Sequence, residues 1–178
     1  MSFGQGYSLT AMQATSIFAT IANDGVRVEP TVIAGTSDAQ GHYTPAKSRK
    51  SSRVISPETA KTMRLMMESV VSSNGTAPSA AIPGYRIAGK TGTAQRVVNG
   101  RYSGYTASFI GFAPADKPRY VISVTIQAPQ GMHWGGVLGG PVFKDVMSYV
   151  LEAKHIPPSN TKVKPIALNA SQIVKIKP

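Results

Sequence analysis

Cysteine is absent from this chain of 178 residues, which excludes disulfides, thiolate metal sites and cysteine nucleophiles. The absence leaves the compartment open, because an oxidising location permits disulfides without requiring them. Acidic residues are scarce: 8 Asp and Glu stand against 19 Lys and Arg, a formal charge of +11. Charged residues of both signs reach only 15%, below the usual quarter, so the chain is not a disordered polyelectrolyte. Long apolar runs are missing too. No stretch would cross a bilayer, and the N-terminus lacks a charged-then-apolar leader. The chain as given is therefore expected to be soluble.

What is present suits one domain, or a large piece of one, with 42% hydrophobic residues to build a core. A cationic surface can attract nucleic acid, anionic lipid or anionic polymer. Here the positive residues are scattered. The densest cluster, Lys47, Arg49, Lys50 and Arg53, lies among serines and reads as a solvated loop. No basic recognition helix or aromatic-basic strand pattern marks a nucleic-acid module, so no nucleic-acid partner is expected.

The pattern along the chain predicts an α+β protein. Thr10 to Asn23 reads as a helix with Met12, Ile17, Phe18 and Ile21 as its apolar stripe, Thr10 as its cap and Gly25 beyond its end. Val26 to Ile33 reads as a short edge strand, Gly35 to Ser52 as a flexible loop and Arg53 to Ile55 as a returning strand. Ser56-Pro57-Glu58 opens a second helix, running to about Val71 with Met63, Met66, Met67 and Val70 on its buried face. A methionine stripe of this kind belongs to a core. Tyr85 to Val98, Tyr105 to Pro114 and Arg119 to Ala128 read as three strands, joined by connections so short that they must be antiparallel. The loop Pro129 to Gly140 is glycine-rich, and Val142 to Lys154 reads as a closing helix. Residues 157–178 read as a disordered tail. A sheet of three antiparallel strands leaves a long edge open, which suggests that part of the sheet lies elsewhere.

Lys90-Thr91-Gly92-Thr93 falls inside the first of these strands. Alternation puts Thr91 and Thr93 on one side, and Lys90 and Gly92 on the other. Two hydroxyls and an ammonium along one strand can hold a carboxylate by charge-assisted hydrogen bonds. Gly92 removes a side chain where another element comes close. A backbone N–H on the open edge could face a developing oxyanion.

Lysine-threonine-glycine is the third motif of the serine acyl-transfer enzymes that include penicillin-binding proteins and β-lactamases. The surroundings carry the match further. SFGQG, a helix, NDGVRVEP, MMESVV, GYRIAGKTGTAQ, NGRY, FIGFAPA and GGPVF follow one another in this chain. In that order they resemble the class B penicillin-binding proteins, from Ser2 to about Ile156. The resemblance implies the C-terminal part of a peptidoglycan D,D-transpeptidase domain over residues 1–156, without its nucleophile-bearing N-terminal part. It implies a membrane-anchored parent acting on the extracytoplasmic face, peptidoglycan stem peptides and β-lactams as ligands, and a cell-wall glycosyltransferase as a possible partner. A D,D-carboxypeptidase, β-lactamase or β-lactam sensor would share the same strand.

In this family a serine of S-x-x-K is acylated, and a serine of S-x-N helps move the proton. Neither motif is found here in a credible place. Ser159-Asn160-Thr161-Lys162 fits the first and Ser72-Ser73-Asn74 the second, but their order and setting make both chance matches. By resemblance, Lys90 supplies positive field and Thr93 offers its N–H to the oxyanion hole. Thr91, Gly92 and Thr93 bind substrate beside a wall of Tyr105, His133 and Trp134. Plain packing of those large side chains is the alternative for the wall. Arg86 and Arg96 read as surface charges, although Arg96 could reach an anionic substrate. No metal or cofactor is expected, since His133 has neither His42 nor His155 nor a carboxylate cluster near it in sequence.

Overall fold

The computed structural model describes residues 8–47 and 49–159. Helix α1 (Ala11–Ala22) starts where Thr10 and Gln13 form a reciprocal capping box. Strand β1 (Val26–Val28) pairs antiparallel with β4 (Ser51–Arg53). Between them the expected flexible loop holds a hairpin of β2 (Gly35–Ser37) and β3 (Tyr43–Pro45). Its turn is organised by Asp38, whose carboxylate accepts from the backbone N–H groups of Gln40 (3.0 Å) and His42 (2.8 Å). Those bonds, that from His42 foremost, hold the Asp38 carboxyl below its ordinary pKa. Polar composition alone hid this turn, which is specified by one side chain bonding its own backbone.

Helix α2 (Pro57–Glu68) begins at the Ser56 cap, with Pro57 and Glu58 in its first turn. It tightens into a 3-10 turn at Ser69–Val71. A second 3-10 turn, Pro78–Ala80, follows in the loop before the main sheet. That sheet has the order β5-β6-β7, with β5 spanning Ala88–Val98, β6 Arg101–Ala113 and β7 Tyr120–Gln127. Both interfaces are antiparallel, as the short connections require. The register between β5 and β6 shifts between Gln95 and Val97, near Gly104 with φ +70° on β6.

Helices cover both faces. On one, α3 (Gly135–Ala153) buries Phe143, Met147 and Leu151 against Phe109 and Ile87. The Phe109 and Phe143 rings meet edge to face at 4.9 Å. On the other, Met67 of α2 and Phe18 and Ile21 of α1 pack against Ala88 and Phe112. Met12 and Ile17, expected in the buried stripe, are about half exposed. Ile17 instead lines an apolar groove of about 570 Å³ with Leu9, Val54 and Met63.

Two corrections to the sequence reading matter for the site. Arg86 is no surface charge. Its guanidinium grips the Glu68 carboxylate with two bonds, Nε to Oε2 at 2.8 Å and Nη2 to Oε1 at 2.6 Å, both side chains largely buried. That pairing, more than the accompanying charge attraction, raises the Arg86 pKa further. It fastens the end of α2 to the lead-in of β5. Secondly, α3 starts at Gly135, seven residues before the expected Val142. The glycines read as a loop are its first turns. Pro141 lies inside the helix, where it leaves the Val137 carbonyl without its helical donor. The chain also stays packed past Pro157: Ser159 is buried, and its hydroxyl donates to Asp116 Oδ1 at 2.9 Å. The remainder of the expected tail, with Lys162, lies outside the described residues.

The helical glycines are needed for contact. A methyl group on Gly135 would lie 2.3 Å from the Gly92 carbonyl oxygen, and one on Gly136 2.0 Å from that of Thr76. On Gly139 it would sit 2.8 Å from Phe109 Cβ, and on Gly140 2.3 Å from Ser79 Oγ. Alanine would be worth about 1 kcal/mol in helix propensity, but overpacking costs about 1–3 kcal/mol, and more against backbone that cannot yield. Gly136→Ala is therefore expected to destabilise the domain by roughly 2 kcal/mol net, measured as a lowered melting temperature. Glu68→Gln is expected to cost about 2 kcal/mol by removing the charge from a partly buried bidentate pair; an unchanged denaturation midpoint would contradict it.

Candidate active-site strand

Strand β5 has no strand partner on its outer edge among the described residues. Its backbone direction follows from its neighbours. Arg86 O accepts from Ala115 N, and Tyr105 O accepts from Ala128 N across toward the far side of β6. N–H and C=O groups leave an antiparallel strand on alternating sides. Even-numbered residues of β5 near the motif thus bond to β6, while Thr91 and Thr93 turn their backbone groups to the open edge. Lys90 is consistent with this: its Nζ donates to Thr91 O at 2.9 Å and lies 3.5 Å from Thr91 Oγ1.

Side chains alternate across the faces. Thr91 and Thr93 lie on the α3 side. The Thr93 hydroxyl oxygen accepts from the backbone N–H of Gly135 at 3.1 Å. Gly135 is the first residue of α3, and Trp134 before it supplies no side-chain cap. Thr93 thus satisfies one of the amide donors that every helix start leaves open. Thr91 Oγ1 is 3.1 Å from Thr76 Oγ1. Lys90 and Gly92 belong to the other face. A methyl group on Gly92 would lie 2.5 Å from Ser108 Oγ, its register partner on β6.

The aromatic residues come together beside the same strand. The rings of Tyr105 and His133 stack with centroids 4.0 Å apart at 9°, and His133 meets Trp134 at 5.0 Å. Tyr105 is opposite Gln95, two residues beyond Thr93 on the same face. Trp134 is 57% exposed. The structure thus gathers Thr91, Thr93, Tyr105, His133 and Trp134 on one side, with the Lys90 ammonium reaching the edge from the other. Ser159 lies elsewhere, beside Asp116 and the Arg86 amide. Ser72 Oγ is bonded to Ser69 O at 2.7 Å. The apolar groove on α1 shares no residue with the motif. Two contributors escaped the sequence reading: Thr76, placed in a loop, and the Gly135 amide, placed in another. The spacing of Gly135, Gly136, Gly139 and Gly140, one helical turn apart, was the available signal. Among the described residues no cluster of His, Asp or Glu could hold a metal ion, and no helix is long and apolar enough to cross a membrane.

Known proteins are similar to this chain. The family model described as "Penicillin binding protein transpeptidase domain" matches residues 1–148. Penicillin-binding protein PbpB of Mycolicibacterium smegmatis is 42% identical over 96% of this chain and 28% of its own length. The probable peptidoglycan D,D-transpeptidase PenA of Neisseria flavescens is 38% identical over 89% of this chain and 38% of its own. Among solved structures, penicillin-binding protein 3 of Mycobacterium tuberculosis complexed with ampicillin superposes with a TM-score of 0.82 at 36% identity, covering 93% of this chain and 39% of that one. The chain thus spans well under half the length of these relatives. With its K-T-G-T strand on the open edge of an α+β sheet and this likeness over nearly its whole length, the chain belongs to the penicillin-binding protein transpeptidase family.

Proposed function

We propose that this chain forms the substrate-binding portion of a peptidoglycan D,D-transpeptidase, completed by the preceding part of its domain. The observation that carries this reading is the motif strand: an ammonium, two hydroxyls and an outward N–H are presented along an edge that nothing described here covers. The open outer edge of β7 and the apolar groove on α1 are the surfaces that the rest of the domain would cover, while its serine would stand across from the edge of β5.

In the proposed reaction a serine contributed by the preceding part attacks the penultimate D-alanine carbonyl of a stem peptide. The carbonyl becomes an oxyanion, stabilised by the outward N–H of Thr93 and by the nucleophile's own N–H. The terminal D-alanine leaves with a proton, and an amine of a neighbouring stem then takes the acyl group. Lys90 supplies the positive field at the serine pair, and the hydroxyls of Thr91 and Thr93 donate to the substrate carboxylate. Tyr105, His133 and Trp134 form a wall against the substrate's side chains. β-Lactams would acylate the same serine, in keeping with the ampicillin in the related structure. A parent anchored at the extracytoplasmic face, with a glycosyltransferase supplying the glycan, fits this chemistry. The names of the relatives favour transfer to an amine over hydrolysis.

Removing one charge-assisted hydrogen bond should cost about 1.5–3 kcal/mol of transition-state binding, roughly ten- to a hundredfold in acylation rate. In the intact domain, Lys90→Ala and Thr93→Val should each slow β-lactam acylation by that factor. Rates within about twofold of the wild type, for folded proteins, would reduce the strand to scaffold. The chain alone, lacking the nucleophile, is expected to take up no fluorescent penicillin on a denaturing gel. A covalent band that vanished in Ser159→Ala would promote the tail motif instead.

A further inference from the structure

We propose that Thr76 is a positioning residue for the carboxylate subsite, acting through Thr91; the inference rests on the transpeptidase reading above. Thr76 precedes the Pro78–Ala80 turn, outside every motif considered in the sequence. Its hydroxyl is nonetheless 3.1 Å from Thr91 Oγ1.

The argument is one of proton counting. A threonine hydroxyl has a single proton to donate and two lone pairs to accept with. For Thr91 to donate to a carboxylate, its bond with Thr76 must run the other way, with Thr76 as donor. The Lys90 ammonium, 3.5 Å from Thr91 Oγ1, approaches as a second donor. With Thr76 donating to it, the only role left for the Thr91 proton is outward. Hydrogen bonds in series also polarise one another, so a hydroxyl fed from behind is a better donor. Thr93 has the same construction: the Gly135 amide donates into its oxygen, which leaves its proton for the ligand. Each hydroxyl on the motif strand is backed by a donor, one from a side chain and one from a helix start.

Thr76 is held for this role by backbone packing. Ala77 N–H donates to Val70 O at 2.9 Å and Gly75 N–H to Ser72 O at 2.9 Å, fixing the residues on either side. The Thr76 carbonyl lies against Gly136, where a methyl group would come within 2.0 Å of it and 3.0 Å of Thr91 Cγ2. The side chain itself is exposed, so its loss should spare the fold.

The test uses the intact domain and two probes, a β-lactam with a free carboxylate and its methyl ester. Thr76→Val and Thr76→Ala should slow acylation by the acid about five- to thirtyfold and by the ester less than twofold, at unchanged melting temperature, while Thr76→Ser should recover most of the rate. Thr91→Val should show the same bias, and Thr76→Val added to it should cause no further loss, since the two act as one unit. Equal losses on acid and ester, no loss on either, or additive losses in the double variant would overturn the inference and leave the transpeptidase reading standing. A wild-type domain that neither probe acylates would overturn both.

Discussion

The closeness of α3 to the sheet is the constraint on which the rest depends. The carbonyls of Gly92 and Thr76, the Phe109 side chain and Ser79 Oγ all occupy space that a side chain at the helical glycines would claim. Gly135 and Gly139 lie one turn apart toward the sheet, and Gly136 and Gly140 one turn apart toward the loop before it. Four helical glycines cost about 1 kcal/mol each in propensity. What they permit is contact of backbone with backbone, which brings the Gly135 amide to Thr93 and the Thr76 hydroxyl to Thr91. The strand and its supporting donors are therefore one packed unit.

The second fastening holds the other end of β5. Arg86 and Glu68 are mostly shielded from water, and their two-pronged geometry fixes direction as well as distance. Ser159 adds its hydroxyl to the same corner, between the Arg86 amide and Asp116. An edge strand with one free side would otherwise fray or slip in register. Clamped at Arg86 and wedged by α3 at Thr93, β5 can leave its outer edge open and still present fixed groups.

This division suits the proposed site, which would receive part of its machinery from elsewhere in the domain. On the face of the sheet toward α3 the aromatic core is sealed, and the hydroxyl oxygens of Thr91 and Thr93 have partners. The opposite face is finished only where α1 and α2 reach, around Phe112 and Met67. Beyond them stand Lys90 and Gly92, a charged and a bare position on the side that awaits a neighbour.

Local chemistry made much of this legible. Thr10 and Ser56 mark helix starts because their hydroxyls serve orphan amides wherever such a start occurs. The three strands and their antiparallel order follow from alternation and short turns, and the K-T-G-T motif falls in a strand by its flanks, although such small polar residues are unusual there. The motif's likeness to its family could be read without coordinates. The failures share a cause. Gly135 to Gly140 looks like a loop because glycine's intrinsic preference is against helix, and only a neighbour pressed against it reverses that preference. Arg86 looks like a surface charge because its partner is 18 residues away in sequence. Met12 and Ile17 look buried because the helical period shows which face is apolar and is silent on what covers it. Thr76 carries no local mark at all: its position beside Thr91 is set by α3, more than 50 residues later in the chain. The sequence by itself determined most of the helices and strands and the place of the K-T-G-T motif in one of them, since these depend on neighbours along the chain. The tertiary structure alone decided which groups meet around that strand, Thr76 with Thr91 and the Gly135 amide with Thr93, since that depends on atoms that only folding brings within hydrogen-bonding distance.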